Sequence, residues 1–172
     1  ATGVVTGTFS VMAQSFSTLA NLSTLGLATF PAQSDTAVMD SFSGGVTIAG
    51  VESGVVTEMS LNLDNGLTSR NVVGSRDIIR PSIGRTSVTG SVQVYFEDST
   101  MLNQFKDETI SSLEFTLTDP AGNAYTFEIP RLKFSSGKPD VTDMGPVMLP
   151  MSFQGYLDPT EGTNLIITKV DA

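Results

Sequence analysis

Four places in this chain bring oxygen-bearing side chains close enough together for chemistry. Glu97-Asp98 and Asp107-Glu108 are adjacent carboxylates, the raw material of general acid–base or glycosidase work. Asp64-Asn65-Gly66 and Asp140–Asp143 offer hard oxygen ligands of the kind calcium takes. Each has a plainer reading. Acids are common at helix ends and in turns, and neither oxygen-rich stretch has the spacing of a calcium loop closed by a bidentate acid. Gly44-Gly45 and Gly84 do not form a phosphate cradle, because Gly44-Gly45 precedes a strand pattern rather than a helix N-terminus. The chain contains neither His nor Cys. That removes disulfides, thiolate nucleophiles, Ser-His-Asp triads, and zinc or haem held by Cys or His. The expectation is a protein that is not an enzyme and uses no cofactor or metal.

The remaining concentration of chemistry is cationic. Leu67–Arg85 holds Arg70, Arg76, Arg80 and Arg85, four of nine basic residues, in a chain of formal net charge −9. The same stretch carries Val72, Val73, Ile78, Ile79 and Ile83. One reading is a solvated loop that balances charge. The sharper reading is an arm that docks on an acidic surface of another copy. Its apolar side chains would be an exposed patch if nothing covered them, and guanidinium groups pair bidentately with carboxylates. The contact residues this assigns are Arg70, Val72, Val73, Arg76, Asp77, Ile78, Ile79, Arg80 and Arg85. A basic arm on an acidic body is a head-to-tail design, which closes rings or grows filaments. The acidic balance also disfavours specific nucleic-acid binding and attraction to an anionic membrane.

The elements that must carry this arm are strands. The chain has 172 residues, reads as one domain over 1–172, and shows no linker and no internal repeat. It is 40% hydrophobic yet has no apolar run approaching the roughly 20 residues a membrane-spanning helix needs. Val5, Gly7, Phe9 and Val11 alternate with Thr6, Thr8, Ser10 and Met12, which predicts a half-buried strand. Residues 14–36 follow, nearly uncharged, as a long irregular connection or a pairing arm. The chain opens at Ala1 without an initiator Met, which reads as processing or a missing upstream segment.

A short strand is expected around Val46–Ile48. The clearest one follows Gly54: Val55, Thr57, Met59, Leu61 and Leu63 point one way, and Val56, Glu58, Ser60, Asn62 and Asp64 the other, before Asn65-Gly66 turns the chain. In Thr86–Phe96, Val88, Gly90, Val92, Val94 and Phe96 share one face, and Thr89, Ser91, Gln93 and Tyr95 the other. Thr100–Lys106 is the one helix candidate, capped by Asp98 or Ser99, with Met101, Leu102 and Phe105 as its stripe. Leu113–Leu117 and Tyr125–Ile129 form a hairpin around the turn at 119–123. Arg131–Phe134 extends it past Pro130, which marks an edge or a bulge. Ser135–Pro146 reads as a polar connection, and Val147–Tyr156 and Asn164–Val170 as the last two strands. The fold class is all-β: an antiparallel sandwich or split barrel with one short flanking helix and a long inter-strand loop.

Open sheets leave edges, which must be paired or covered. Sheets continued from one copy to the next would close a ring, and Glu58, Ser60, Asn62 and Asp64 are the candidate row for its lumen. Acidic walls repel a polyanion and would let it slide.

Ser60-Leu-Asn-Leu-Asp-Asn-Gly-Leu67, Val73-Gly-Ser75, Pro81-Ser-Ile-Gly-Arg85, Val88-Thr-Gly-Ser91 and Tyr95-Phe-Glu-Asp98 together resemble the major tail tube proteins of long-tailed bacteriophages. The likeness lies mainly in residues 40–106, with Tyr156–Ala172 similar in style. It implies six copies in a ring around a continuous β-barrel, rings stacked into a tube, and Leu67–Arg85 as the loop reaching the neighbouring ring. It implies DNA passing down the lumen without specific binding, a tape measure protein filling it beforehand, terminator and baseplate proteins as partners, and residence in the virion after assembly in host cytoplasm. Competing readings are a tail terminator or capsid decoration protein, or a ligand-binding β-sandwich. The absence of Trp and the dispersal of Tyr95, Tyr125 and Tyr156 weigh against the last.

Overall fold

The computed structural model describes residues 5–13, 39, 44–52, 55–75, 77–97, 99–141 and 145–171. The expected connection at 14–36 lies outside them, as do Arg76 and Asp98. Among the described residues the protein is all-β with one short helix. The strands are β1 (Gly45–Ile48), β2 (Val51–Glu52), β3 (Val56–Asp64), β4 (Thr68–Arg70), β5 (Ile79–Ser82), β6 (Ser87–Tyr95), β7 (Ser111–Thr118), β8 (Ala124–Gly137), β9 (Met148–Gly155) and β10 (Ile166–Val170), with α1 (Thr100–Lys106) between β6 and β7. One antiparallel sheet runs β2-β1-β7-β8-β9-β6-β3, with β10 also on β8, and it curls into a half-barrel. β4 and β5 form a separate two-stranded ribbon.

The core lies inside the curl. β6 contributes Val88, Val92 and Val94, β8 contributes Ile129, Leu132 and Phe134, and β9 contributes Leu149, Met151 and Phe153. Ile48 and Leu113 close the far side, while Met101, Leu102 and Phe105 of α1 pack against the cluster as their helical spacing predicts. Gly90 makes room at the centre. A Cβ there would collide with the Phe153 ring and the Ser60 carbonyl, so glycine is what lets the ring lie across β6. Ser99 occupies the helix N-cap but makes no side-chain cap hydrogen bond, contrary to its expected role.

Two bulges revise the sequence reading. In β3 the register passes from Val56↔Val94 to Glu58↔Gln93, so Thr57 is the extra residue. Val56 therefore faces the core with Met59 and Leu61, and the Thr57 hydroxyl donates to the Gln93 carbonyl at 3.0 Å. Strict alternation cannot anticipate that flip. In β8 the register passes from Ile129↔Leu113 to Leu132↔Ser111, which places a bulge at Pro130 and Arg131. β8 is an interior strand, so the edge reading of Pro130 fails and the bulge reading holds. Residues 124–128 lie between β7 and β10, and 132–137 pair with β9. Proline sits where the strand changes partners and its missing N–H is not needed.

Other differences have equally local causes. Residues 5–13 lie outside any strand, with Phe9 90% and Val11 89% exposed, so the expected half-buried strand is not formed there. β8 continues through Gly137, into what read as polar connection. The unanticipated β2 folds back on β1 through Ala49 and Gly50, both at positive φ, the conformation that matches the twist of a two-residue hairpin.

Two turns are held by carboxylates. Asp119 accepts from the N–H groups of Ala121 and Asn123, each at 2.9 Å, and from the Asn123 amide at 2.8 Å. Asp158 accepts from Thr160 N–H at 2.7 Å and Glu161 N–H at 3.1 Å. The Asn123 side chain chiefly holds Asp119 below the ordinary carboxylate value, and the Glu161 backbone N–H does so for Asp158. A lowered carboxylate contributes stability above its unfolded value, near 3.8, and that contribution is lost as pH falls through the folded value.

Two outcomes are expected. Phe153→Ala lowers unfolding free energy by about 3–5 kcal/mol and Gly90→Ala by about 1–3 kcal/mol in urea titrations, through cavity formation and overpacking respectively. Asp119→Ala lowers the thermal midpoint at pH 7, and the gap from wild type narrows as pH drops below about 4, read by circular dichroism across pH.

Candidate functional site

Leu67–Arg85 is built as a β-ribbon arm rather than an irregular loop. β4 and β5 pair Thr68 with Ser82 and Arg70 with Ile79, with a bulge on the β5 side near Arg80 and Pro81. Its neck is a close approach of two glycines: a Cβ on Gly84 would meet the Gly66 carbonyl oxygen at 2.5 Å. Gly66 itself has φ 57° and donates its N–H to Asp64 Oδ1 at 2.8 Å. This turn is what the Asp64-Asn65-Gly66 stretch forms. At the other end of the arm Gly74 has φ 89°, and Ser75 and Asp77 exchange two hydrogen bonds: the Ser75 hydroxyl donates to the Asp77 carbonyl, and Asp77 N–H donates back.

The arm's apolar side chains are in the open. Val73 at the tip is fully exposed, Ile83 is 68% exposed, Val72 and Ile79 are also exposed, and Ile78 is half-buried. Arg70, Arg80 and Arg85 are exposed, and among the described residues none has a carboxylate within ion-pair distance. The two ion pairs found there are Lys133–Glu108 and Lys169–Asp171. Glu108, one of the carboxylates considered for catalysis, thus partners a lysine on β8. Among the described residues no three His, Cys, Asp or Glu side chains cluster as metal ligands.

The second surface is the outer face of β3, β6, β9 and the end of β8. Glu58, Ser60, Asn62 and Asp64 are all exposed on β3, as their alternation predicts. The register carries that face across the other strands. Ser60 pairs with Ser91, Ser91 with Ser152, and Ser152 with Ser136, a row of serines four strands wide. The Ser60 and Ser91 hydroxyls lie 2.7 Å apart, Ser91 N–H donates to Ser60 Oγ, and Ser152 N–H donates to Ser136 Oγ. The adjoining row is Asn62, Thr89, Gln154 and Lys133. Sequence reasoning found β3's share of this face and Ser91 but not Ser152, Gln154 or Ser136. The alternation of Ser152 and Gln154 with Met151 and Phe153 was the available signal, but which strands stand side by side is not written in any one of them.

Among the described residues this four-stranded face ends in two open edges. Among the described residues β3 pairs with β6 alone, and β8 beyond Leu132 pairs with β9 alone. Lys133 and Glu108 border a cleft of about 580 Å³ along that β8 edge, lined also by Phe105, Lys106 and Tyr156.

Among solved structures the fold is similar to the tube-terminating cap of the anti-feeding prophage, at 12% identity and TM-score 0.55 over 83% of this chain and 96% of that one. It is similar to the sheath/tube terminator of the extracellular contractile injection system PVC in its extended state, at 13% identity and TM-score 0.55 over 82% and 99%. No curated protein matches the chain. The family model described as phage tail tube protein matches residues 1–155, nine-tenths of the sequence, and with the fold now in view the chain belongs to that family and is a structural protein of the virion tail.

Proposed function

We propose that residues 1–172 act as one tail-tube domain, six copies of which close into a ring whose lumen is the serine-rich outer face of β3, β6, β9 and β8. The observation that carries this reading is the pair of edges bounding that face, both unpaired among the described residues. An unpaired ladder is an invitation to another strand. Joining the β3 edge of one copy to the β8 edge of the next would extend the polar face into a continuous barrel, in which no edge is left.

Rings then stack through the Leu67–Arg85 arm. Its exposed valines and isoleucines, and Arg70, Arg80 and Arg85, which have no ion-pair partner among the described residues, support an interface role, since desolvated Arg and apolar anchors dominate association energies. DNA passes through the lumen without specific binding. Glu58 and Asp64 add negative charge to a wall of hydroxyls and amides whose one lysine, Lys133, is paired with Glu108, and such a wall repels a polyanion rather than gripping it. The tape measure protein occupies the lumen before DNA does, and terminator and baseplate proteins meet the tube's two ends. Assembly takes place in host cytoplasm, and the role involves no enzymatic step, cofactor or membrane.

Electron microscopy of concentrated protein tests the reading: tubes are expected, and a lone particle at all concentrations defeats it. Deleting residues 70–84 should leave a folded, soluble protein that no longer forms tubes, measured by sedimentation and circular dichroism. Arg76→Glu with Arg80→Glu should weaken stacking more than either single change, with each lost charge-assisted contact worth about 1.5–3 kcal/mol. Glu58→Lys should leave tube formation intact while slowing genome delivery in a single-infection time course.

A further inference from the structure

The two ends of the β3–β6–β9 ladder differ in chemistry. At one end Asp64 pairs with Ser87 and Val88 with Gly155, and the arm leaves from there through Gly66 and Gly84. Arg131 lies at this end too, its carbonyl accepting Tyr156 N–H at 2.8 Å. The chain's five arginines are Arg70, Arg76, Arg80, Arg85 and Arg131. The four that are described therefore stand at this end or on the arm that leaves it.

At the opposite end Tyr95 pairs with Met148, Met148 bridges to Asp140, and Phe96 N–H donates to the Val147 carbonyl at 2.9 Å. This end exposes Tyr95 and, at 72%, Val141, flanked by the exposed carboxylates of Glu97 and Asp140. Neither carboxylate is in an ion pair among the described residues. Lys138 is the cation nearest in sequence. The nine residues of β3 separate the two ends by about 30 Å, at about 3.3 Å per residue.

We infer that the Tyr95–Glu97 and Asp140–Val141 surface is the acceptor for the arm of a second copy of this chain. The inference rests on the ring-stacking reading above and names the other half of its contact. An arm that leaves one end of a strand axis meets, in a copy translated along that axis, the opposite end. There Arg70, Arg80 and Arg85 find carboxylates, which they lack among the described residues of their own chain, and Ile79, Val72 and Val73 cover Tyr95 and Val141. Turning one copy end over end would set arginine against arginine, so like-charge repulsion excludes that arrangement. The contact thereby fixes a single direction for the whole stack.

The absence of native cysteine simplifies the test, because no native thiol competes with the introduced ones. Ile79→Cys protein is mixed with Val141→Cys protein, assembled, oxidised mildly and run on a non-reducing gel. A disulfide requires the two Cα atoms to come within about 7 Å. The control pairs Ile79→Cys with Ile167→Cys, an exposed position on β10. Expected is at least about tenfold more linked dimer from the 79/141 mixture than from the control, because contact raises the effective thiol concentration. Equal yields in assemblies visible by electron microscopy overturn the acceptor and leave ring stacking standing. Failure of the unmodified protein to assemble overturns both.

Discussion

The constraint on which the rest depends is the register between β6 and β9. Val92 faces Met151, Val94 faces Leu149, and Gly90 faces Phe153, all toward the core. A slip of one residue would turn every one of these outward and bring Ser91, Ser152 and Gln154 into the apolar interior. Burying those hydroxyls and amides without partners would cost more than the sheet could recover. Gly90 is the key to the register, since only a residue without Cβ accepts the Phe153 ring at that row. The inner packing and the outer hydroxyl rows are therefore one arrangement seen from two sides.

The bulges give this sheet its shape. A curled sheet needs places where the ladder changes step, and bulges supply local bend and twist. Pro130 and Arg131 mark where β8 leaves β10 and takes up β9, so one strand belongs to both walls of the fold. Thr57 performs a similar adjustment on β3, turning Val55 and Val56 together onto the core.

Much of this was legible in the residues. Period-two alternation located β3, β6, β7, β9 and the first half of β8, and the spacing of Met101, Leu102 and Phe105 located α1. The Asp119–Asn123 turn and the exposed row on β3 were readable for the same reason: they depend on chemistry within a few positions. What could not be read depends on partners distant in sequence. The flip at Thr57 is set by β6, and the serine row exists only once four strands are aligned. The pairing of β4 with β5 is not legible either, because Gly74, Pro81 and Gly84 interrupt their alternation. Val5–Val11 shows the converse: alternation alone does not make a strand, and this segment joins no ladder among the described residues.

The serine row has one further property. In the contact between Ser60 and Ser91 either oxygen can be the donor, so two hydrogen placements are available with the heavy atoms fixed. Concerted rotation of the hydroxyls interchanges them. The Ser60–Ser91 contact therefore fixes neither oxygen as donor or acceptor, in contrast to the permanent charges of Glu58, Asp64 and Lys133 on the same face.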